Sequence, residues 1–119
     1  MLKQIETALK AVDNNVFYGG VTGIDRADKW DYIVFSRRNL RRNTKGNTSY
    51  THVITVYIVR EEYVPEETIY DVINAMEAIP GVRFDDDNAQ FNYDRKENTK
   101  TIMEVAQLTF TWARKKGAA

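Results

Sequence analysis

The chain contains no cysteine, and this absence excludes disulfides, thiolate nucleophiles and cysteine-ligated zinc. It has a single histidine, the residue that most often serves as a general base near neutral pH. A metal site that needs two histidines is therefore excluded. No run approaches the roughly 20 apolar residues that a membrane helix needs. The N-terminal segment MLKQIETALKAV is too charged for a signal peptide. We therefore expect a soluble protein that is made in a cytoplasm and does not contact a membrane.

The length of 119 residues and the 43% apolar content predict one folded domain over residues 1–119. Seventeen basic residues balance seventeen acidic ones. Five of the basic residues fall in the segment SRRNLRRNTKGN, residues 36–47, which has no acidic residue. Without this segment, 12 basic residues stand against 17 acidic ones, a net charge of −5. The neutrality of the whole chain therefore hides an asymmetry that matters when charged partners or like subunits meet.

The first half of the chain shows a helical pattern followed by strand patterns. Leu2, Ile5, Leu9 and Val12 recur at helical spacing, which predicts a helix over residues 2–13. The segment VFYGGVT predicts a short strand that ends at a glycine bend. Residues 30–43 and 49–61 are rich in β-branched and aromatic residues and predict two strands. The polar segment NTKGNTS between them is typical of a hairpin turn.

The second half begins with a well-marked helix. Pro65, Glu66 and Glu67 favour a helix start, and Pro80-Gly81 favours its end. One apolar stripe runs between them: Ile69, Val72, Ile73, Met76 and Ile79. The segments VRF and QFNYD predict short strands, and residues 100–115 predict a long strand whose apolar face is interrupted by Glu104. Residues 114–119 predict a frayed tail.

The order of these elements is helix, strands, helix, strands. This order predicts an α+β domain with an antiparallel or mixed sheet, two helices packed on one face, and a projecting β-hairpin.

Three features could carry chemistry, and each has a simpler structural explanation. His52 lies within a strand, where a lone histidine is more often structural than catalytic. Asp85, Asp86 and Asp87 form a carboxylate cluster that could bind magnesium, but without the spacing of a calcium loop they indicate a solvated turn. The segment YGGVTG lacks the Lys-Ser/Thr of a phosphate-binding loop. We predict no catalytic, cofactor-binding or metal-binding residue, and no enzyme.

The segment 36–47 predicts the distal part of the hairpin, and we call its functional candidates the basic arm: Arg37, Arg38, Leu40, Arg41, Arg42 and Lys45. Strict strand alternation would place Arg37, Asn39 and Arg41 on one face and Arg38, Leu40 and Arg42 on the other. Leu40 is the only apolar residue here, so the arm is not expected in the core of its own domain. It could contact a neighbouring subunit, line a channel, remain a solvated hairpin, or serve a small nucleic-acid-binding module.

The acidic remainder of the chain offers carboxylates with which arginines at an interface pair well. We call these residues the acidic surface: Glu61, Glu62, Glu66, Glu67, Asp85, Asp86 and Asp87. A basic arm from one subunit could meet the acidic surface of the next. Such a heterologous contact closes into a ring when the rotation between subunits permits it.

The whole pattern resembles the tail-completion proteins of long-tailed bacteriophages, which include tail terminators and tail-to-head joining proteins. The resemblance covers nearly the full length in element order. It is carried by the N-terminal helix, the basic hairpin, PEETIYDVINAMEAIPGVRF and the final strand TIMEVAQLTFTWARKK.

The resemblance implies a non-enzymatic virion protein without a cofactor, which forms a ring, typically a hexamer, at the head–tail junction. Its implied partners are the major tail tube protein and a head completion or connector protein. Basic residues that line such a ring could also contact DNA in the channel without reading its sequence.

Overall fold

The structure, a computed structural model, describes residues 1–19, 31–42, 49–85, 88–95 and 101–115. Within these residues it contains two helices, α1 (Leu2–Lys10) and α2 (Glu66–Glu77), and six strands. The strands are β1 (Val16–Tyr18), β2 (Tyr32–Arg42), β3 (Ser49–Glu61), β4 (Arg83–Phe84), β5 (Gln90–Arg95) and β6 (Ile102–Lys115). The strands form one mixed sheet, which confirms the predicted α+β class.

The sheet is organised around two long central strands. β3 pairs with β6 along its whole length, and β2 pairs with the other side of β3. The outer side of β6 carries β4 and then β5, which pair with successive parts of the same strand. β1 is the one parallel strand among the described residues and pairs only with Ile33 to Phe35 of β2. The outer edge of β2 beyond Phe35 therefore has no strand partner within the described part of the chain.

Both helices pack on one face of this sheet, as the sequence predicts, and we call it the helix face. Alternate residues of β3 and β6 point toward the helices, because side chains alternate along a strand. The helices and strands share one buried cluster, which includes Ile5, Leu9, Ile33, Phe35, Ile54, Val56, Ile58, Ile69, Val72, Met76, Ala106, Leu108, Phe110 and Trp112. Burial of each such side chain stabilises the fold by about 1.5–3 kcal/mol.

The helix boundaries differ slightly from the sequence prediction. α1 ends at Lys10 and not at residue 13, because the next residues form turns and the Asp13 carboxylate accepts a hydrogen bond from the Asn15 N–H (2.9 Å). α2 begins at Glu66, and Pro65 precedes it with an extended ψ of 138° while its carbonyl accepts the Thr68 N–H (3.0 Å). At the other end of the chain, β6 continues through Lys115, so residues 114 and 115 belong to the sheet and not to a tail.

Glu104 interrupts the apolar face of β6 because it holds the connection between β3 and α2. Its carboxylate accepts a hydrogen bond from the Val64 N–H (2.7 Å). In the same connection Glu62 adopts a positive φ of 70°, which is uncommon for a residue with a side chain, and donates its N–H to the Ile102 carbonyl (3.0 Å). These bonds direct the chain from the end of β3 back over the helix face.

A nearly buried ion pair joins the end of α1 to β3. Arg60 Nη2 lies 2.7 Å from Asp13 Oδ2, and the two side chains are only 15% and 12% exposed. The Arg60 guanidinium also donates to the Val59 carbonyl (2.9 Å). Removal of one partner from a buried pair is costly, because the remaining charge keeps its desolvation penalty and loses its attraction.

We expect Asp13→Asn to lower the free energy of unfolding by about 3 kcal/mol, because it leaves Arg60 without its counter-ion. Asparagine keeps an oxygen that can accept the Asn15 N–H, so the turn itself is preserved. The matched control is Glu6→Gln, which removes the solvent-exposed pairs of Glu6 with Lys3 and Lys10. It should cost less than about 1 kcal/mol. Urea unfolding monitored by circular dichroism measures both changes, and equal effects would contradict the assigned role of the buried pair.

Candidate functional site

The basic arm lies on the distal half of β2, where a β-bulge changes the expected alternation of its side chains. Arg37 pairs with Ile54 of β3, but the next pair joins Asn39 to Val53. Arg38 is therefore an extra residue in β2 without a partner of its own. A bulge of this kind bends the strand and redirects the side chain at the extra position.

The predicted distribution of the arm over two faces is consequently wrong. Past the bulge, Leu40 pairs with His52 and Arg42 pairs with Tyr50, both on the helix face with Arg37. Asn39 and Arg41 occupy the opposite face, which carries no helix and which we call the open face. The one-residue insertion thus divides the arm: Arg37, Leu40 and Arg42 lie on one side of the sheet, and Arg41 lies on the other.

All the described arm residues are exposed, and Lys45 lies outside the described residues. Arg37 is held by its neighbour, because its Nε donates to the Tyr18 hydroxyl (3.1 Å). Arg38 and Arg41 make no ion pair and no side-chain hydrogen bond with any of the described residues. Within the described part of the chain, neither guanidinium group therefore has an anionic partner.

The helix-face end of the arm borders a stacked pair of rings. His52 lies parallel to Trp112, with centroids 4.8 Å apart and an interplanar angle of 1°. This packing gives His52 a structural position beside the core, in agreement with the simpler explanation of this residue. The Trp112 indole Nε1 is buried and lacks an acceptor among the described residues. Leu40, opposite His52, is 58% exposed and extends the apolar surface to the sheet edge.

The predicted acidic surface occupies two separate places. Four of its residues are exposed at the far end of β3 and the start of α2: Glu61, Glu62, Glu66 and Glu67. Eleven residues of extended chain separate Tyr50, at the basic end of β3, from Glu61, a distance of about 36 Å. Asp85 instead lies near the basic end, where its N–H bonds the Thr109 carbonyl (2.8 Å), while Asp86 and Asp87 lie outside the described residues.

A cleft of about 320 Å³ opens on the open face near the basic arm. We call it the polar cleft, and nine of the described residues line it: Arg38, Asn39, Arg41, Val53, Asp85, Asn88, Gln90, Gln107 and Thr109. Its floor is formed by the small side chains Val53 and Thr109 of the central strands. Small residues flanked by long ones leave a depression in an otherwise regular sheet surface.

Two departures from regular strand pairing form the sides of the cleft. On one side the bulge in β2 brings Arg38 into the lining together with Arg41. On the other side, Phe84 pairs with Phe110 and Gln90 pairs with Gln107, so the edge segment has five residues between these two pairs where β6 has two. Asp85 and Asn88, which are described residues of this interval, line the cleft. The structure therefore brings Asp85 together with two arm residues of the same chain.

Sequence reasoning found Arg38, Arg41 and Asp85 as candidates but missed the uncharged part of the cleft: Asn39, Asn88, Gln90, Gln107 and Thr109. The alternating polar residues Gln107 and Thr109 on the open face of β6 were the available signal. They could not be placed beside the arm without the strand order and the two irregularities.

The described residues contain no group of three or more histidine, cysteine, aspartate or glutamate side chains that could hold a metal ion. Neither described helix combines the length and the apolar content needed to cross a membrane. The chain matches no known protein-family model, and a search of curated proteins found no relative.

Exposed aromatic residues mark the outer edge of the sheet at β5. Phe91 and Tyr93 are both exposed on the helix face of β5, beside β6. Tyr93 stands opposite Glu104, whose carboxylate accepts a hydrogen bond from the phenol and places a negative charge beside it. Both effects favour the neutral phenol, so they raise the pKa of Tyr93 above its ordinary value of 10.0, with a small further contribution from burial.

We expect Glu104→Gln to lower the pKa of Tyr93 toward its ordinary value, because glutamine removes the negative charge and retains an acceptor for the Val64 N–H. Since the folded pKa is raised, the contact stabilises the fold below about pH 10 and its contribution is lost as the phenol ionises above this pH. NMR titration of ring-labelled tyrosine measures the change, with Tyr93→Phe to assign the resonance. A Tyr93 titration that Glu104→Gln leaves unchanged would contradict the assigned contact.

Proposed function

We propose that the protein is a structural assembly protein of long-tailed bacteriophages: a ring-forming tail terminator, or a closely related joining protein, at the head–tail junction. In this role one ring, a hexamer by the resemblance, caps the tail tube. It stops growth of the tube and presents a surface to the head connector. The order of helices and strands supports the resemblance, because the folded chain keeps the order on which the resemblance was based.

The observation that carries the proposal is the separation of charge along β3. Exposed arginines lie at one end of the sheet, and the exposed carboxylates of Glu61, Glu62, Glu66 and Glu67 lie at the other. A contact between like ends of two subunits would bring like charges together, whereas a contact between unlike ends is complementary. Where such a contact is heterologous, the arm of one subunit meets the acidic end of the next, and the contact closes into a ring when the rotation between subunits permits it.

Open strand edges add a second means of association. The distal part of β2 has an unpaired outer edge among the described residues, and β5 has another on the opposite side of the sheet. Open edges invite strand addition from another chain, while basic side chains along an edge restrict it to complementary partners. Arm residues that reach beyond the interface would face the channel and could contact DNA phosphates without reading the sequence.

The test exchanges the charges of the two proposed contact surfaces. Arg37→Glu with Arg42→Glu should weaken ring formation at least about tenfold, and so should Glu66→Lys with Glu67→Lys, because each places like charges together. In a 1:1 mixture of the two variants every contact is again complementary, so assembly should return. The two variants must alternate around each ring of such a mixture, so only rings with an even number of subunits, including a hexamer, can close.

Assembly is measured by solution mass at high protein concentration, by negative-stain microscopy of rings, and by capping of purified tail tubes. The matched control is Lys3→Glu with Lys10→Glu, which reverses two charges on exposed residues of α1 and should leave assembly unchanged. A chain that stays monomeric and also fails to cap tail tubes would refute the proposal. Assembly that both reversals leave intact would refute the head-to-tail contact.

A further inference from the structure

We propose that the polar cleft is a binding site for a phosphate ester, held by Arg38 and Arg41. The inference goes beyond the assembly role and does not depend on it, because all nine lining residues belong to one chain. The site would therefore be complete in an isolated subunit.

The charge of the lining favours an anion. Among the described lining residues, Arg38 and Arg41 contribute two positive charges and Asp85 contributes one negative charge, a net charge of +1. Neither arginine pairs with Asp85 or with another carboxylate of the described residues, although all three line the same cleft. Guanidinium groups bind oxyanions through charge-assisted and often bidentate hydrogen bonds. An anion that enters the cleft would supply a partner that neither arginine has among the described residues.

The uncharged lining favours phosphate over carboxylate. Asn39, Asn88, Gln90 and Gln107 each carry an amide NH₂ group, and Thr109 carries a hydroxyl, so donors surround the cleft. A carboxylate has only two oxygens, and one arginine can satisfy both of them. A phosphate monoester presents three terminal oxygens, and a phosphodiester presents two terminal and two bridging oxygens. Either tetrahedral group can accept from two arginines and from amide groups at once.

The volume of the cleft and the carboxylate of Asp85 indicate which groups the ligand carries besides the phosphate. A volume of about 320 Å³ corresponds to roughly ten water molecules at their liquid volume, which is more than a phosphate group fills. Small-molecule pockets are usually lined by apolar side chains, whereas Val53 is the only apolar residue among the described residues of this lining. Asp85 can accept a hydrogen bond from a hydroxyl or amino group. The lining thus fits a polar phosphate ester, either a free phosphorylated compound or a nucleotide unit of a nucleic acid.

The test uses three probes with the full chain at low salt: inorganic phosphate, adenosine monophosphate and a single-stranded oligothymidylate. Binding is followed by NMR through the side-chain amide signals of Asn39, Asn88, Gln90 and Gln107. Arg38→Gln and Arg41→Gln should each weaken binding about tenfold, because each removes one charge-assisted contact. Asp85→Asn should strengthen the binding of inorganic phosphate, since it removes the one negative charge among the described lining residues.

The matched control is Arg42→Gln, which makes the same substitution on the same strand but on the helix face, and it should change binding less than twofold. Gln107→Glu keeps both arginines and adds a negative charge to the cleft, so it should abolish binding. The backbone amide spectrum of each variant shows whether the fold is retained. These measurements are made on unassembled subunits, so they remain valid whether or not the chain forms rings.

The relative response to the probes identifies the source of the phosphate ester. Binding of adenosine monophosphate without binding of the oligonucleotide assigns the cleft to a free phosphorylated compound. Oligonucleotide binding that falls with Arg38→Gln and Arg41→Gln, and not with Arg42→Gln, assigns it to a nucleic acid. Absence of binding for all three probes would overturn the proposal. So would equal losses in all three arginine variants, because they would indicate general charge attraction and no defined site.

Discussion

The uninterrupted pairing of β3 with β6 is the constraint on which the rest of the structure depends. Thirteen consecutive residue pairs, from Ser49 with Lys115 to Glu61 with Met103, fix the register of the two strands. A slip of one residue would turn the helix-face residues of either strand, such as Ile54, Val56 and Leu108, away from the helices, so the apolar pattern itself holds this register. The other elements build on this pair: the helices cover one face, β2 and then β1 extend the sheet on one side, and β4 and β5 extend it on the other.

The outer strands can depart from regular pairing because the central pair, β3 with β6, is regular along its whole length. The insertion at Arg38 and the extra residues between β4 and β5 would disturb a central strand, where both sides must pair. In the strands beside the central pair, these two irregularities alter only the local geometry. The two irregularities face each other across Val53 and Thr109, and the polar cleft forms between them. An irregular edge on a regular core thus produces a concave site without weakening the buried cluster.

The sequence predicts the helices and strands because the patterns that indicate them are local. It does not predict contacts between residues that are far apart in the sequence. Apolar periodicity identifies both helices, the long strands and the anomaly at Glu104. The role of Glu104 requires the Val64 N–H, forty residues away, and no local pattern indicates that partner. Asp13 and Arg60 form a nearly buried pair across 47 residues for the same reason. The prediction that side chains alternate strictly along the arm is wrong for a similar reason. The bulge depends on how β2 pairs with β3, and the sequence of the arm alone does not indicate it.

The bulge also explains how one basic segment could take part in two kinds of contact. With regular alternation, Arg37 and Arg41 would share a face, and the arm would present one mixed charged surface on each side. After the insertion, Arg37 and Arg42 lie beside exposed Leu40 on the helix face, where apolar and cationic groups together suit a protein partner. Arg41 and the redirected Arg38 line the cleft among amide groups, a setting that suits an anion. Since the two pairs of arginines lie on opposite faces of the sheet, occupation of one does not obstruct the other. A subunit held by its neighbours could therefore still bind a phosphate ester.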